Sequence, residues 1–142
     1  MMRNCSGFTL LELMAVVLIL GLLLGTAMPN VVDMVQQQQL RSETRQLVSN
    51  LRKLQQEAIT TEEKRGIQFS STGTSYRVAD IQYHLQEGIT YKVSPNVLGT
   101  INYNSMGALE ITGNITVEFV DTGGHRRQVI LRPSGRISTI TP

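Results

Sequence analysis

The sequence predicts an α+β fold, one long N-terminal helix followed by an antiparallel β-domain, and three patterns in its 142 residues carry that prediction. Residues 8–28 form an apolar run of helix length, residues 40–58 repeat apolar positions at alternating intervals of four and three, and beyond Gly66 apolar and polar residues alternate. The formal net charge of +2 and the pI near 8.9 give no general polyanion-binding signal, leaving room only for a local basic patch. A single cysteine, Cys5, excludes an internal disulfide framework and any multi-cysteine metal site.

The first element is "GFTLLELMAVVLILGLLLGTAMP", residues 7–29. From Phe8 to Met28 its only charge is Glu12, and at about 1.5 Å per residue such a helix crosses roughly 30 Å of hydrocarbon. The run is too long for a signal-peptide core, and "GTAMP" is a poor cleavage site. Arg3 on the short side places residues 1–7 in the cytoplasm and everything after Pro29 outside it. A carboxylate within a span is resisted by roughly 2.5 to 3.5 kcal/mol at depth, so Glu12 needs a cation. No Lys or Arg flanks it closely. Were the chain cut between Gly7 and Phe8, the new α-amine, with a pKa near ~8, would lie four positions before Glu12 on the same helix face. That amine can belong to the same chain or to a neighbouring copy, and in the second case the pair sets the register of an assembly.

Pro29 predicts a bend, after which the helix resumes. Leu40, Thr44, Leu47, Leu51, Leu54 and Ala58 then form one stripe, with Arg41, Arg45, Arg52, Lys53 and Glu57 elsewhere on the helix. The stripe is expected to pack on the protein's own β-domain. "QQQQ" at 36–39 is read as a polar stretch without a function, and "EEKRG" at 62–66 as the end of the helix, with Gly66 as the stop.

The strands follow as "GIQFSS", "SYRVA", "ITYKV", "TINYN", "ITVEFV", "RQVIL" and "GRISTI", separated by turn signals such as "STGTS", "SPN" and "DTGG". They predict one twisted antiparallel sheet of six or more short strands packed on the helical stripe. Leu98, Ile111, Ile115, Val117, Phe119, Val129, Leu131 and Ile137 are its expected core residues.

A short hydrophilic leader ending in Gly7, then Phe8, Thr9, Leu10, Leu11, Glu12 and an unbroken apolar helix, resembles the leader of type IV pilins and type II secretion pseudopilins. The resemblance implies a pilin-like fold with four segments: a leader at 1–7, a transmembrane helix half at 8–29, an amphipathic half at 30–65 and a β-rich head at 66–142. It implies cleavage after Gly7 by a prepilin peptidase, N-methylation of Phe8, and a subunit-docking role for Glu12 in a helical filament. Its implied partners are that peptidase, other pilins or pseudopilins and an inner-membrane assembly platform. The implied place is the bacterial inner membrane, single-pass, with the C-terminal domain outside the cytoplasm. "MMRNCSG", with one basic residue, is a mild departure from richer basic leaders. The closing segment, in which a hairpin leads to a strand opening with Gly135, Arg136 and Ile137, resembles the H-type minor pseudopilins and related minor pilins, competence pseudopilins among them.

Other chemistry is poorly supported. Cys5 precedes the apolar run, whereas a lipobox cysteine follows its own, and cleavage after Gly7 would discard it. Asp121, Thr122 and Gly123 spell an aspartic-protease loop, but the chain has no second copy, and "DTGG" between alternating runs is an ordinary hairpin turn. His84 and His125 lack the neighbours of a triad or a zinc site. The sequence predicts no enzyme, no catalytic residue, no metal and no cofactor. One alternative function remains: Arg126, Arg127, Arg132 and Arg136 outnumber Glu118 and Asp121 near the C-terminus, and a basic hairpin of this kind can grip DNA phosphates for uptake. Ser138 stands where DNA-binding relatives carry a further arginine, which weakens that reading.

Overall fold

The computed structural model describes residues 8–95 and 99–141, and does not describe the side chains of 26–30, so the expectations for Gly7 and Leu98 lie outside the described residues. The chain divides into two compact units, residues 1–35 and 36–142. Helix α1 (Leu10–Thr61) is a single element that continues past Pro29.

In the first unit, every described side chain from Phe8 to Gly25 is exposed, among them Leu10, Leu11, Met14, Leu18 and Leu24. Apolar surface as continuous as this marks a face made for lipid or for another protein. Among the described residues no helix is long and apolar enough to cross a membrane. The described apolar stretch, residues 10–25, measures about 24 Å of helix, against about 30 Å of hydrocarbon.

The second unit is a packed α+β body. All six residues of the predicted stripe, Leu40, Thr44, Leu47, Leu51, Leu54 and Ala58, are buried, because spacings of three and four keep them on one side of α1. Among the described residues eight strands follow the helix: β1 (Arg65–Phe69), β2 (Ser75–Val78), β3 (Ile81–His84), β4 (Thr90–Ser94), β5 (Thr100–Tyr103), β6 (Ile115–Val120), β7 (Arg126–Leu131) and β8 (Ile137–Ile140). They do not make one sheet, as expected from the sequence, but two four-stranded antiparallel sheets, ordered β3-β2-β1-β5 and β4-β6-β7-β8. The division arises because β5 returns to β1, pairing Ile101 with Ile67, while β4 pairs with β6, setting Tyr91 opposite Phe119. Ile115, Val117, Phe119, Val129 and Leu131 are buried as predicted, and Ile111 and Ile137 pack half-buried against the core.

The sequence missed β3. Its hairpin with β2 turns through Ala79 and Asp80, with Val78 opposite Ile81, and Ala79 takes a positive φ of 50° that an Asn or Gly would have advertised. β3 is an edge strand with an exposed Ile81, held in part by the ring of Tyr83 stacked on Tyr76 at 5.3 Å.

Gly66 does not stop the helix. α1 ends at Thr61 and Glu62 supplies the left-handed turn with φ 54°, while Gly66 lies inside β1, where a Cβ would strike the side chains of Thr100 and Asn102 on β5. Glycine there permits close strand packing rather than a helix cap. Gly135 combines φ 79° with a position where a Cβ would overlap the backbone oxygen of Gly107. Beside it, Gln55 of α1 donates from Nε2 to the Gly107 carbonyl at 2.7 Å and to the Gly135 carbonyl at 3.3 Å, clamping the turn before β8 to the helix.

Glu43 is buried, with Oε1 accepting the Gln86 N–H at 3.2 Å. Burial raises its pKa above the ordinary 4.5, and the bond from Gln86 opposes this only in part. The folded state therefore holds this proton more tightly than the unfolded chain does. The resulting stabilisation is complete below the ordinary carboxylate range and is lost as pH rises through the raised value. Glu43→Gln, which keeps an acceptor for Gln86, is expected to remove this loss. Thermal unfolding of both proteins at about pH 4 and about pH 8 would show the variant gaining on the wild type at the higher pH; parallel profiles would contradict the assignment.

Candidate functional site

The first candidate site is the start of α1. Thr9 precedes the helix and caps it: its Oγ1 accepts the Glu12 N–H at 3.2 Å, and its carbonyl accepts the Leu13 N–H at 3.2 Å. Thr9 and Glu12 thus occupy the first and last positions of an S/T-x-x-E capping pattern, and a carboxylate in the first turn is favoured by the helix dipole. This local role, which the sequence reading overlooked, accounts for part of the charge at Glu12. The side chain is exposed, as is Phe8 before it, so both are open to a neighbouring molecule.

The second site concerns the arginines. The four expected at the basic hairpin do not converge. In β7, Arg127 shares the face of buried Val129 and Leu131, turned toward α1, whereas Arg126 alternates to the face of Gln128 and lies 3.9 Å from Glu118 Oε1. Arg132 and Arg136 are exposed at the turn before β8, where the Arg132 N–H donates to the Arg136 carbonyl at 3.1 Å. A single flat contact with duplex phosphates by all four would need one common face, and adjacent residues of a strand do not share one.

Arg127 instead meets arginines of α1. Burial, and after it the charges of Arg41 and Arg45, hold its pKa below the usual guanidinium value. Arg41, Arg45 and Arg52 are spaced by four and seven, which places them along one side of a helix; that spacing is the available signal for a site whose helix arginines the sequence places only off the apolar stripe.

At the "DTGGH" turn, the ring Nδ1 of His125 lies 2.9 Å from Asp121 Oδ2, and the His125 backbone N–H donates to Asp121 Oδ1 at 2.8 Å. Both oxygens of this buried carboxylate are engaged within its own turn. His125 Nε2 lies 3.3 Å from Gln37 Nε2 on α1, so one residue of the polar stretch at 36–39 does have a partner. Among the described residues, no group of three or more His, Cys, Asp or Glu side chains is placed to hold a metal ion.

Comparison with known proteins bears on the N-terminal residues and on the fold. Residues 2–28 match the family described as "Prokaryotic N-terminal methylation motif". Among solved structures, the type IV minor pilin FimU of Pseudomonas aeruginosa superposes with a TM-score of 0.63 at 16% identity, covering 74% of this chain and 90% of that one. The minor pseudopilin EpsH from the Type 2 Secretion System of Vibrio cholerae superposes with a TM-score of 0.61 at 14% identity, covering 73% of this chain and 98% of that one. No curated protein sequence matches. The chain thus carries a prokaryotic N-terminal methylation motif at its front and has a fold similar to that of the minor pilin FimU and the minor pseudopilin EpsH.

Proposed function

We propose that this chain is a minor pilin-like subunit that a prepilin peptidase cuts after Gly7 and methylates at Phe8. Residues 8–29 then hold it in the bacterial inner membrane, with the amphipathic half of the helix at 30–65 and the head at 66–142 outside the cytoplasm. An assembly platform in that membrane extracts it, together with sibling pilins or pseudopilins, into a filament of a type II secretion or type IV pilus-type machine. Its work is structural, and no catalytic residue is assigned. The observation that carries this reading is the continuous exposed apolar face of residues 8–25, which lies within a methylation motif spanning residues 2–28, in a chain whose fold is similar to that of a minor pilin. Such a face has no place in water. It suits lipid before assembly and other helices of the same kind afterwards.

The mass of the chain recovered from cells with a pilin-type machine tests the proposal. The expected product lacks residues 1–7, begins at Phe8 and carries one added methyl group, while Gly7→Ala yields the uncut chain. A full-length wild-type product, or normal cutting of Gly7→Ala, would overturn the peptidase step.

A further inference from the structure

The geometry points to a groove between α1 and the β7–β8 edge that binds an acidic, extended peptide segment, supplied in the filament by a neighbouring subunit. The neighbour rests on the filament reading above; the groove rests on its own chemistry. Two cavities, of about 520 and about 380 Å³, lie along the helix and share Arg127 in their walls. The larger is lined by Arg45, Arg52 and Arg127 over Val48 and Ile137, and the smaller adds Arg41. No carboxylate among the described residues lines either, and among those residues none of the four arginines has an ion pair. The nearest acidic residue in sequence, Glu43, is turned to the opposite task of holding Gln86. Among the described residues the repulsion of these like charges is therefore left uncompensated, and Arg127, whose pKa burial lowers first, also feels the charges of Arg41 and Arg45.

The form of the groove narrows the occupant. From Gln37 to Arg52 the two cavities follow α1 for about 23 Å, the reach of roughly seven extended residues, far more than one inorganic anion fills. One wall is β8, an edge strand whose outer side has no partner strand among the described residues, so the site offers main-chain hydrogen bonds beside the guanidinium groups. Apolar Val48 and Ile137 between the arginines suit a peptide alternating acidic and apolar side chains. Duplex DNA is convex and would reach the exposed rim but not the half-buried Arg127.

The test uses the full mature chain in detergent micelles and a short capped peptide alternating glutamate with valine, labelled with a fluorophore for anisotropy. Saturable binding is expected, weakened by salt, resisted by the same peptide with lysine for glutamate, and not displaced by inorganic phosphate at similar concentration. Arg127→Gln and Arg45→Gln are each expected to weaken it about tenfold, the scale of one charge-assisted hydrogen bond. Arg77→Gln, on the other sheet, is expected to leave it unchanged. Arg45 is exposed on the helix, so its variant keeps the test meaningful should Arg127→Gln fold poorly. Absence of binding, equal effects from Arg77→Gln, displacement by phosphate, or tighter binding of random duplex DNA through the same arginines would each overturn the proposal. Failure here with correct cleavage after Gly7 removes the groove and leaves the filament reading; binding without cleavage removes the filament reading and leaves the groove.

Discussion

Glu12→Gln is expected to leave cleavage after Gly7 intact while lowering recovery of the subunit in sheared filaments by about tenfold or more, as loss of an ion pair in an apolar setting implies. Two roles compete at this residue. As the fourth position of the capping pattern opened by Thr9, Glu12 supports the helix start, a contribution of about 0.3 to 1 kcal/mol that does not depend on any neighbour. As a docking group, its carboxylate would meet the α-amine of Phe8 on an adjacent copy, in a medium where an unpaired charge is costly by several kcal/mol. Glutamine is accepted in a capping box but carries no charge, so it separates the two. Immunoblots of filament and membrane fractions supply the measurement. Wild-type incorporation of the glutamine variant, with loss only in Glu12→Ala, would assign Glu12 to the helix start alone.

Phe119→Ala is expected to lower the stability of the folded head by about 3 to 5 kcal/mol, a large share of the roughly 5 to 15 kcal/mol typical of a domain. Phe119 is fully buried on β6, an interior strand of its sheet. Its ring lies 6.0 Å from that of Tyr91 on β4, and Tyr91 in turn meets Phe69 of the other sheet edge-on at 5.4 Å. The Tyr91 hydroxyl also accepts the Ser70 N–H at 2.8 Å. Alanine at 119 would open a void at the foot of this aromatic bridge between the sheets, where neither sheet is free to close it. Thermal unfolding followed through the tyrosine near-ultraviolet circular dichroism would report the change. Ile81→Ala, at an exposed edge position, serves as the comparison and is expected to stay within about 0.5 kcal/mol of wild type. A similar small effect at Phe119 would mean that the sheets are not joined through this ring.

What the sequence determined by itself was whatever depends on neighbours along the chain. The stripe from Leu40 to Ala58 was legible because a helix converts intervals of three and four into one face, and all six of its residues are buried. Ile115, Val117 and Phe119 were legible for the corresponding reason in a strand. The methylation motif is read from contiguous residues and needs no fold. Only the tertiary structure decided which distant segments meet. It separated β4 from β1 into different sheets, made Gly66 a strand residue and Glu62 the end of the helix, and revealed β3 behind a turn with no glycine. It also turned Arg126 and Arg127 to opposite faces and brought Arg127 to the arginines of α1. These outcomes rest on pairings between residues far apart in the chain, whose free energies arise from burial and charge in the assembled core, and no local spacing encodes them.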